Sequence, residues 1–124
     1  MESVTGIGGI FFKASDPDKL KAWYKEMLGV PLDEHGYVVF EWGGDVPGQT
    51  IWSPFAKDST YFAPSTAPFM LNFRVKDLDA MLAQLRGAGV TVDEKTEDGE
   101  YGKFGWAMDP EGNRVELWQP PKGK

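Results

Sequence analysis

The sequence has no cysteine and only one histidine, His35, among its 124 residues. The absence of cysteine excludes disulfides, thiolate metal sites, iron–sulfur clusters and cysteine nucleophiles. A single histidine excludes any metal motif that takes two histidines from one chain. His35 lies between Glu34 and Gly36, a composition typical of a solvated turn, with a catalytic role as the alternative.

Long hydrophobic runs and an excess of positive charge are also missing. No apolar run approaches the roughly 20 residues that a membrane helix needs, and the first residues lack the pattern of a secretory signal. Thirteen Lys and Arg against 19 Asp and Glu give a net charge of −6, which disfavours nucleic acid and anionic membranes as partners. We therefore expect a cytoplasmic protein that binds neither.

What the sequence does contain is an internal repeat. When the sequence is shifted by 61 positions, residues 12–16 fall on residues 73–77, and the two segments share Phe at their first position and Asp at their last. Shifted by 64 positions, Trp42 falls on Trp106. Each half reads as a strand, a helix and then several strands, and a 41% hydrophobic content is enough for one packed core.

The repeat predicts the fold class and the organisation of the chain. We predict one α+β domain over residues 1–124, built from two tandem βαβββ modules at about 5–54 and 69–119. A linker at 55–68 joins the modules, and a tail follows at 120–124. The modules form one strongly curved mixed sheet around a concave cleft, with the helices on the outer face. The acidic stretch from Glu94 to Lys103 is predicted to be a flap or long turn.

Two helices are indicated by caps and by apolar stripes. The first begins after Asp16, with Pro17 at its first position, and ends at Gly29; the second begins at about Asp77 and ends at Gly87. Their apolar stripes are Leu20, Trp23, Tyr24, Met27 and Leu28 in the first helix, and Leu78, Met81, Leu82 and Leu85 in the second.

Alternation along the strands predicts which side chains face the cleft. One set is apolar and is predicted to lie under the helices: Ile10, Phe12, Ile51, Leu71, Phe73, Val75, Val115 and Leu117. The opposite set is predicted to face the cleft: Phe11, Lys13, Thr50, Trp52, Met70, Asn72, Arg74, Arg114, Glu116 and Trp118. Aromatic walls suit a flat ligand, and dimer contacts or simple filling of the cleft are the alternatives.

The charges of the second set predict the charge of the ligand. Lys13, Arg74 and Arg114 against Glu116 sum to 3 − 1 = +2, which favours an anionic group on the ligand; the alternative is that these cations reach solvent. Glu116 is the candidate acid, base or hydrogen-bond acceptor of the cleft. In the alternative interpretation it has no chemical role and is paired with Arg74 or Arg114.

The repeat, residues 12–30 and the closing motif at residues 109–117, Asp-Pro-Glu-Gly-Asn-Arg-Val-Glu-Leu, resemble the vicinal oxygen chelate superfamily. This superfamily includes glyoxalase I, the bleomycin-resistance proteins and the extradiol dioxygenases. The resemblance implies paired βαβββ modules and a homodimer. Many members of the superfamily bind a divalent metal with four side chains, two from each module.

The positions that match those four ligands are Gly9, Trp52, Met70 and Glu116. Three of them offer no suitable ligand atom, so we expect no metal cofactor. The sequence favours a metal-free protein that binds a small, partly aromatic, anionic molecule. The alternatives are an enzyme of the lyase, isomerase or dioxygenase class that uses Glu116 as acid, base or metal ligand, and a module that binds a partner protein.

Overall fold

A computed structural model describes residues 1–28, 30–43, 48–109 and 111–122. In these residues the chain forms seven strands and two helices, which confirms the predicted α+β class. In chain order they are β1 (Val4–Ala14), α1 (Pro17–Leu28), β2 (Val38–Trp42), β3 (Gly48–Ala56), β4 (Phe69–Val75), α2 (Leu78–Gly87), β5 (Glu97–Gly99), β6 (Gly102–Met108) and β7 (Arg114–Gln119). No helix in the described residues is long and apolar enough to cross a membrane.

All seven strands belong to one curled, mixed sheet in the order β2-β3-β1-β4-β7-β6-β5. Each module has a parallel pair at its centre, β1 with β3 and β4 with β7. The antiparallel pair β1 and β4 joins the two modules, from Val4 opposite Val75 to Phe12 opposite Phe69. The second module follows the predicted βαβββ order, whereas the described residues of the first contain two strands after the helix.

Helix α2 covers the outer face of the second module. The side chain of Asp77 caps the helix by accepting a hydrogen bond from the Ala80 amide at 3.0 Å. Three buried residues of the helix, Leu78, Met81 and Leu82, pack against Val75 and Leu117 of the sheet. Phe73 and Val115 pack against the same cluster. The stripe and the face predicted for this module are therefore confirmed.

Helix α1 lies over the first module, where it contacts β1 and β3. It begins as predicted, with Asp16 accepting a hydrogen bond from the Lys19 amide at 3.1 Å. The predicted stop at Gly29 lies outside the described residues, as do the side chains of residues 23, 24, 27 and 28. The prediction that Ile10 is covered is wrong, because 40% of its surface is exposed.

The segment predicted to be a linker belongs to the core. Phe62 is fully buried and forms a cluster with Phe11, Met70 and Trp106. Tyr61 packs against the same cluster. This cluster lies on the side of the sheet opposite to α2, so the segment between β3 and β4 packs on the concave face.

Candidate functional site

A cavity of about 580 Å³ opens on the concave face of the sheet. Such a volume is typical of sites for small organic ligands. Both modules and the segment between them contribute to its wall. The wall is mostly apolar and aromatic, and its residues are Phe11, Tyr37, Val39, Gln49, Ile51, Ser53, Phe55, Tyr61, Glu100, Tyr101, Phe104, Glu116, Trp118 and Pro121.

The carboxylate of Glu116 is the polar centre of this wall. Its side chain is on β7 and only 2% of the residue is exposed. Tyr61 Oη donates to Oε2 at 2.6 Å, Trp106 Nε1 donates to Oε2 at 2.9 Å, and Asn72 Nδ2 donates to Oε1 at 2.6 Å. Three protein donors therefore compensate the burial of this carboxylate.

The two acidic groups of this cluster have shifted pKa values. Burial raises the pKa of Glu116, while the hydrogen bonds from Tyr61, Trp106 and Asn72 oppose that rise. Burial also raises the pKa of Tyr61, and the nearby Glu116 charge adds to the effect. Tyr61 therefore keeps its proton and remains a donor to the carboxylate.

The partners of Glu116 differ from those considered in the sequence. Neither Arg74 nor Arg114 forms an ion pair with Glu116 among the contacts described, although the charge of Arg114 lowers the pKa of Glu116. Trp106 stands directly opposite Glu116 in the β6–β7 pair, so strand pairing of the last two strands could have identified it. Tyr61 lies in an irregular segment, where no periodic signal exists.

The three cations that predicted an anionic ligand do not line the cavity. The Arg74 guanidinium lies 5.1 Å from the Trp42 ring and 5.4 Å from the Trp118 ring, and donates to the Gln49 carbonyl at 3.3 Å. Lys13 Nζ lies 5.5 Å from the Phe62 ring. Cation–π contacts of this kind stabilise a positive charge against the face of an aromatic ring.

Arg114 is held in the same way. Its guanidinium lies 4.9 Å from the Trp106 ring and 3.3 Å from the Asp93 carboxylate. The charged side chains on the described cavity wall are Glu100 and Glu116, both negative. The predicted charge sum of +2 is therefore wrong for the cavity, and it no longer supports an anionic ligand.

The prediction for β3 was shifted by one residue. Gln49, Ile51, Ser53 and Phe55 line the cavity, whereas Trp52 packs edge-on against Phe12 with the ring centroids 5.4 Å apart. Thr50 also lies outside the wall and accepts a hydrogen bond from Trp42 Nε1 at 2.9 Å. A slip of one residue exchanges the two faces of a strand, and apolar residues at both Ile51 and Trp52 left the choice undetermined.

The strand registers give the correct equivalence between the modules. Phe11 is opposite Ser53 in β1 and β3, and Asn72 is opposite Glu116 in β4 and β7. Phe11 and Asn72 are related by the predicted shift of 61 residues, so Ser53 rather than Trp52 is the counterpart of Glu116. Of the predicted cleft residues, Phe11, Glu116 and Trp118 line the cavity. Two others contact the wall residues: Asn72 donates a hydrogen bond to Glu116, and Met70 packs in the cluster with Phe11.

The residues present do not fit the metal of the superfamily. Gly9 has no side-chain ligand atom, and Met70 is packed in the aromatic cluster. Whichever of Trp52 and Ser53 is equivalent to Glu116, neither is a good ligand for a divalent metal. The donors around Glu116 also occupy three of the acceptor positions that a cation would need. Within the described ranges, no group of three His, Cys, Asp or Glu side chains could hold a metal ion.

The exposed part of the wall, which we call the mouth of the cavity, includes Glu100 and Tyr101. Tyr37 precedes β2 and lies near Tyr101, which is in the turn between β5 and β6. Burial raises the pKa of Tyr37, and the nearby Tyr101 adds to the rise. Trp118 Nε1 donates to the Tyr101 carbonyl at 2.7 Å, which fixes the predicted flap to β7. His35 stacks on Tyr37 in an exposed turn and does not line the cavity.

Solved structures of similar fold include two methylmalonyl-CoA epimerases and a protein of the glyoxalase/bleomycin resistance protein/dioxygenase superfamily. Methylmalonyl-CoA epimerase from Streptomyces coelicolor is 20% identical, with a TM-score of 0.71 over 95% of this chain and 99% of that one. The Mycobacterium tuberculosis methylmalonyl-CoA epimerase is 22% identical, with a TM-score of 0.65 over 95% of this chain and 89% of that one. A glyoxalase/bleomycin resistance protein/dioxygenase superfamily member from Vibrio splendidus 12B01 is 13% identical, with a TM-score of 0.58 over 96% and 99%.

At these identities the solved structures show the shared fold alone. No curated protein sequence matches the chain significantly. A family model described as "Glyoxalase-like domain" matches residues 9–118, from the β1 position of Gly9 to Trp118 at the cavity wall. The chain therefore belongs to the glyoxalase-like domain family, within the vicinal oxygen chelate superfamily.

Proposed function

We propose that this protein binds a small, largely apolar and partly aromatic molecule in the concave cavity, without a metal. The observation that carries the proposal is the wall itself: apolar side chains from both modules surround a buried carboxylate that protein donors, rather than a cation, compensate. A ring system entering from the mouth contacts Phe11, Phe104 and Trp118, which suit aromatic stacking.

The test uses N-phenyl-1-naphthylamine, a neutral aromatic probe whose fluorescence rises in apolar surroundings. We expect saturable binding that is unchanged when EDTA is added. Ile51→Trp fills the cavity and should abolish binding, whereas Phe40→Trp places the same side chain at an exposed position outside the cavity wall and should not. The absence of saturable binding, or its loss in EDTA and recovery on adding Zn²⁺ or Mn²⁺, would contradict the proposal.

A second candidate function is proton transfer by Glu116. The observation in its favour is that burial raises the pKa of a carboxylate at the wall of a cavity, which is a property of many catalytic acids and bases. The methylmalonyl-CoA epimerases among the structural neighbours provide a first substrate to try. Epimerisation of methylmalonyl-CoA that disappears in Glu116→Gln would favour this candidate; the lack of cations on the described wall leads us to expect none.

We also propose that the protein forms a homodimer. Four apolar side chains on the adjacent central strands β1 and β4 are more than one third exposed: Val4, Ile7, Ile10 and Phe69. Exposed apolar residues at the middle of a sheet are typical of a surface that a second copy covers. Sedimentation velocity should give twice the 13.8 kDa chain mass, and Ile10→Asp should shift it to the monomer. A wild-type monomer at micromolar concentration would contradict this part of the proposal.

A further inference from the structure

The acceptor capacity of Glu116 is not exhausted by its protein partners. A carboxylate offers about four acceptor positions, two on each oxygen. Oε2 accepts from Tyr61 and Trp106, whereas Oε1 accepts from Asn72. The remaining position belongs to Oε1, on a residue that lines the cavity.

The rest of the described wall provides no positive charge for a ligand. Its two charged residues, Glu100 and Glu116, are both carboxylates. Arg74 and Arg114 are stacked on indole rings, and Arg114 also pairs with Asp93. An anionic group placed against Glu116 would meet a like charge in surroundings of low polarity, where such repulsion is strong.

From these contacts we infer the polar group that the cavity selects. We propose that Glu116 Oε1 accepts a hydrogen bond from the ligand, so the ligand carries a neutral or cationic donor, such as a phenol hydroxyl or an aromatic amine. This inference rests on the proposed binding function and adds the class of ligand. The aromatic body of the molecule lies along the apolar wall, and its donor points at β7.

Three naphthalenes of nearly equal size test the inference by displacement of N-phenyl-1-naphthylamine. They are 2-naphthol, which has a donor; 2-methoxynaphthalene, in which the donor is blocked; and 2-naphthoate, which is an anion. A hydrogen bond to a charged group predicts that 2-naphthol binds about 10- to 100-fold more tightly than 2-methoxynaphthalene. The anion should bind most weakly.

Two matched variants locate the effect. Glu116→Gln removes the charge while keeping one acceptor oxygen, and should reduce the preference for 2-naphthol to less than about fivefold. Glu94→Gln makes the same change at an exposed carboxylate outside the wall and should leave the preference intact. If Glu116→Gln does not fold, the comparison of the three naphthalenes on the wild-type protein still decides the inference.

The outcomes separate this inference from the proposed function. Equal binding of 2-naphthol and 2-methoxynaphthalene, or tighter binding of 2-naphthoate, overturns the inference while leaving the cavity as a binding site. Displacement by none of the three compounds, together with no saturable binding of the probe, overturns both.

Discussion

The two modules share a backbone plan but contribute different chemistry to the cavity. In the first, the paired positions of the parallel strands are Phe11 and Ser53; in the second, they are Asn72 and Glu116. The first module therefore supplies a wall with little polarity, and the second supplies the buried carboxylate with two of its three donors. Duplication gives a symmetric frame, and substitution of single side chains at equivalent positions makes the site asymmetric.

The largest loss of stability is expected when the indole of Trp106 is removed. Trp106 is 2% exposed, packs in the cluster with Phe11 and donates to Glu116. Trp106→Ala should lower the free energy of unfolding by about 3–5 kcal/mol. Phe40→Ala, at an exposed aromatic residue of the first module, should lower it by less than about 1 kcal/mol. Urea denaturation measures both; equal losses would contradict the central role of Trp106.

A smaller loss is expected when one donor to the carboxylate is removed. Tyr61→Phe keeps the ring but deletes the hydroxyl that donates to Glu116 at 2.6 Å. A hydrogen bond to a charged group predicts a loss of about 1.5–3 kcal/mol in the free energy of unfolding. Tyr101→Phe removes a hydroxyl at the exposed mouth and should cost less. An unchanged stability in Tyr61→Phe would mean that water replaces the donor.

The two modules also meet at a close contact that requires glycine. A Cβ at Gly8 would overlap Asn72 Oδ1 and lie 3.0 Å from Trp118 Cε3. Gly8→Ala should therefore displace Asn72 from Glu116 and destabilise the protein by about 1–3 kcal/mol. Gly87→Ala, at the end of α2 with no atom within 4 Å of the added Cβ, should be neutral or stabilising by up to about 1 kcal/mol. Thermal unfolding compares the two, and a neutral Gly8→Ala would show that the contact is not tight.

The smallest expected effect is a change in the slope of stability against pH. The pKa of Glu116 is raised above its usual 4.5 by burial, so the folded state holds the proton more tightly than the unfolded state. Wild-type protein should gain stability relative to Glu116→Gln as the pH falls from neutral towards 4.5, and lose it as the pH rises through the raised pKa. Asp93 and Asp109 titrate below this window, since their pKa values are lowered from 3.8. A constant difference between the variants across this range would contradict the assignment.

The sequence predicts the fold better than it predicts the contacts around Glu116. The repeat and the Leu78, Met81, Leu82 stripe are periodic signals, and the structure confirms the fold class and the face of the second module. Alternation along β3 could not choose between Ile51 and Trp52, because both are apolar and either could face the core. Phe12, predicted to lie under the helix, shares its face with Trp52.

The charges were harder still to place, for a physical reason. Alternation assigns a side chain to one face of a strand, but a long cation can turn onto an aromatic ring, as Arg74 and Arg114 do. Tyr61 could not be found either, because it reaches Glu116 from a segment without regular structure, 55 residues away along the chain. The polar centre thus depends on tertiary contacts that no local pattern contains.

The most direct test of this account follows the indole N–H signals of the five tryptophans in a ¹H–¹⁵N spectrum during titration with 2-naphthol. Trp→Phe variants assign the signals. The Trp106 N–H, bonded to Glu116, and the Trp118 N–H at the cavity wall should shift most, while Trp52 on the opposite face of β3 should shift least. If the Trp52 N–H signal shifted most and the Trp106 N–H signal did not move, the result would contradict binding of the ligand next to the Glu116 carboxylate.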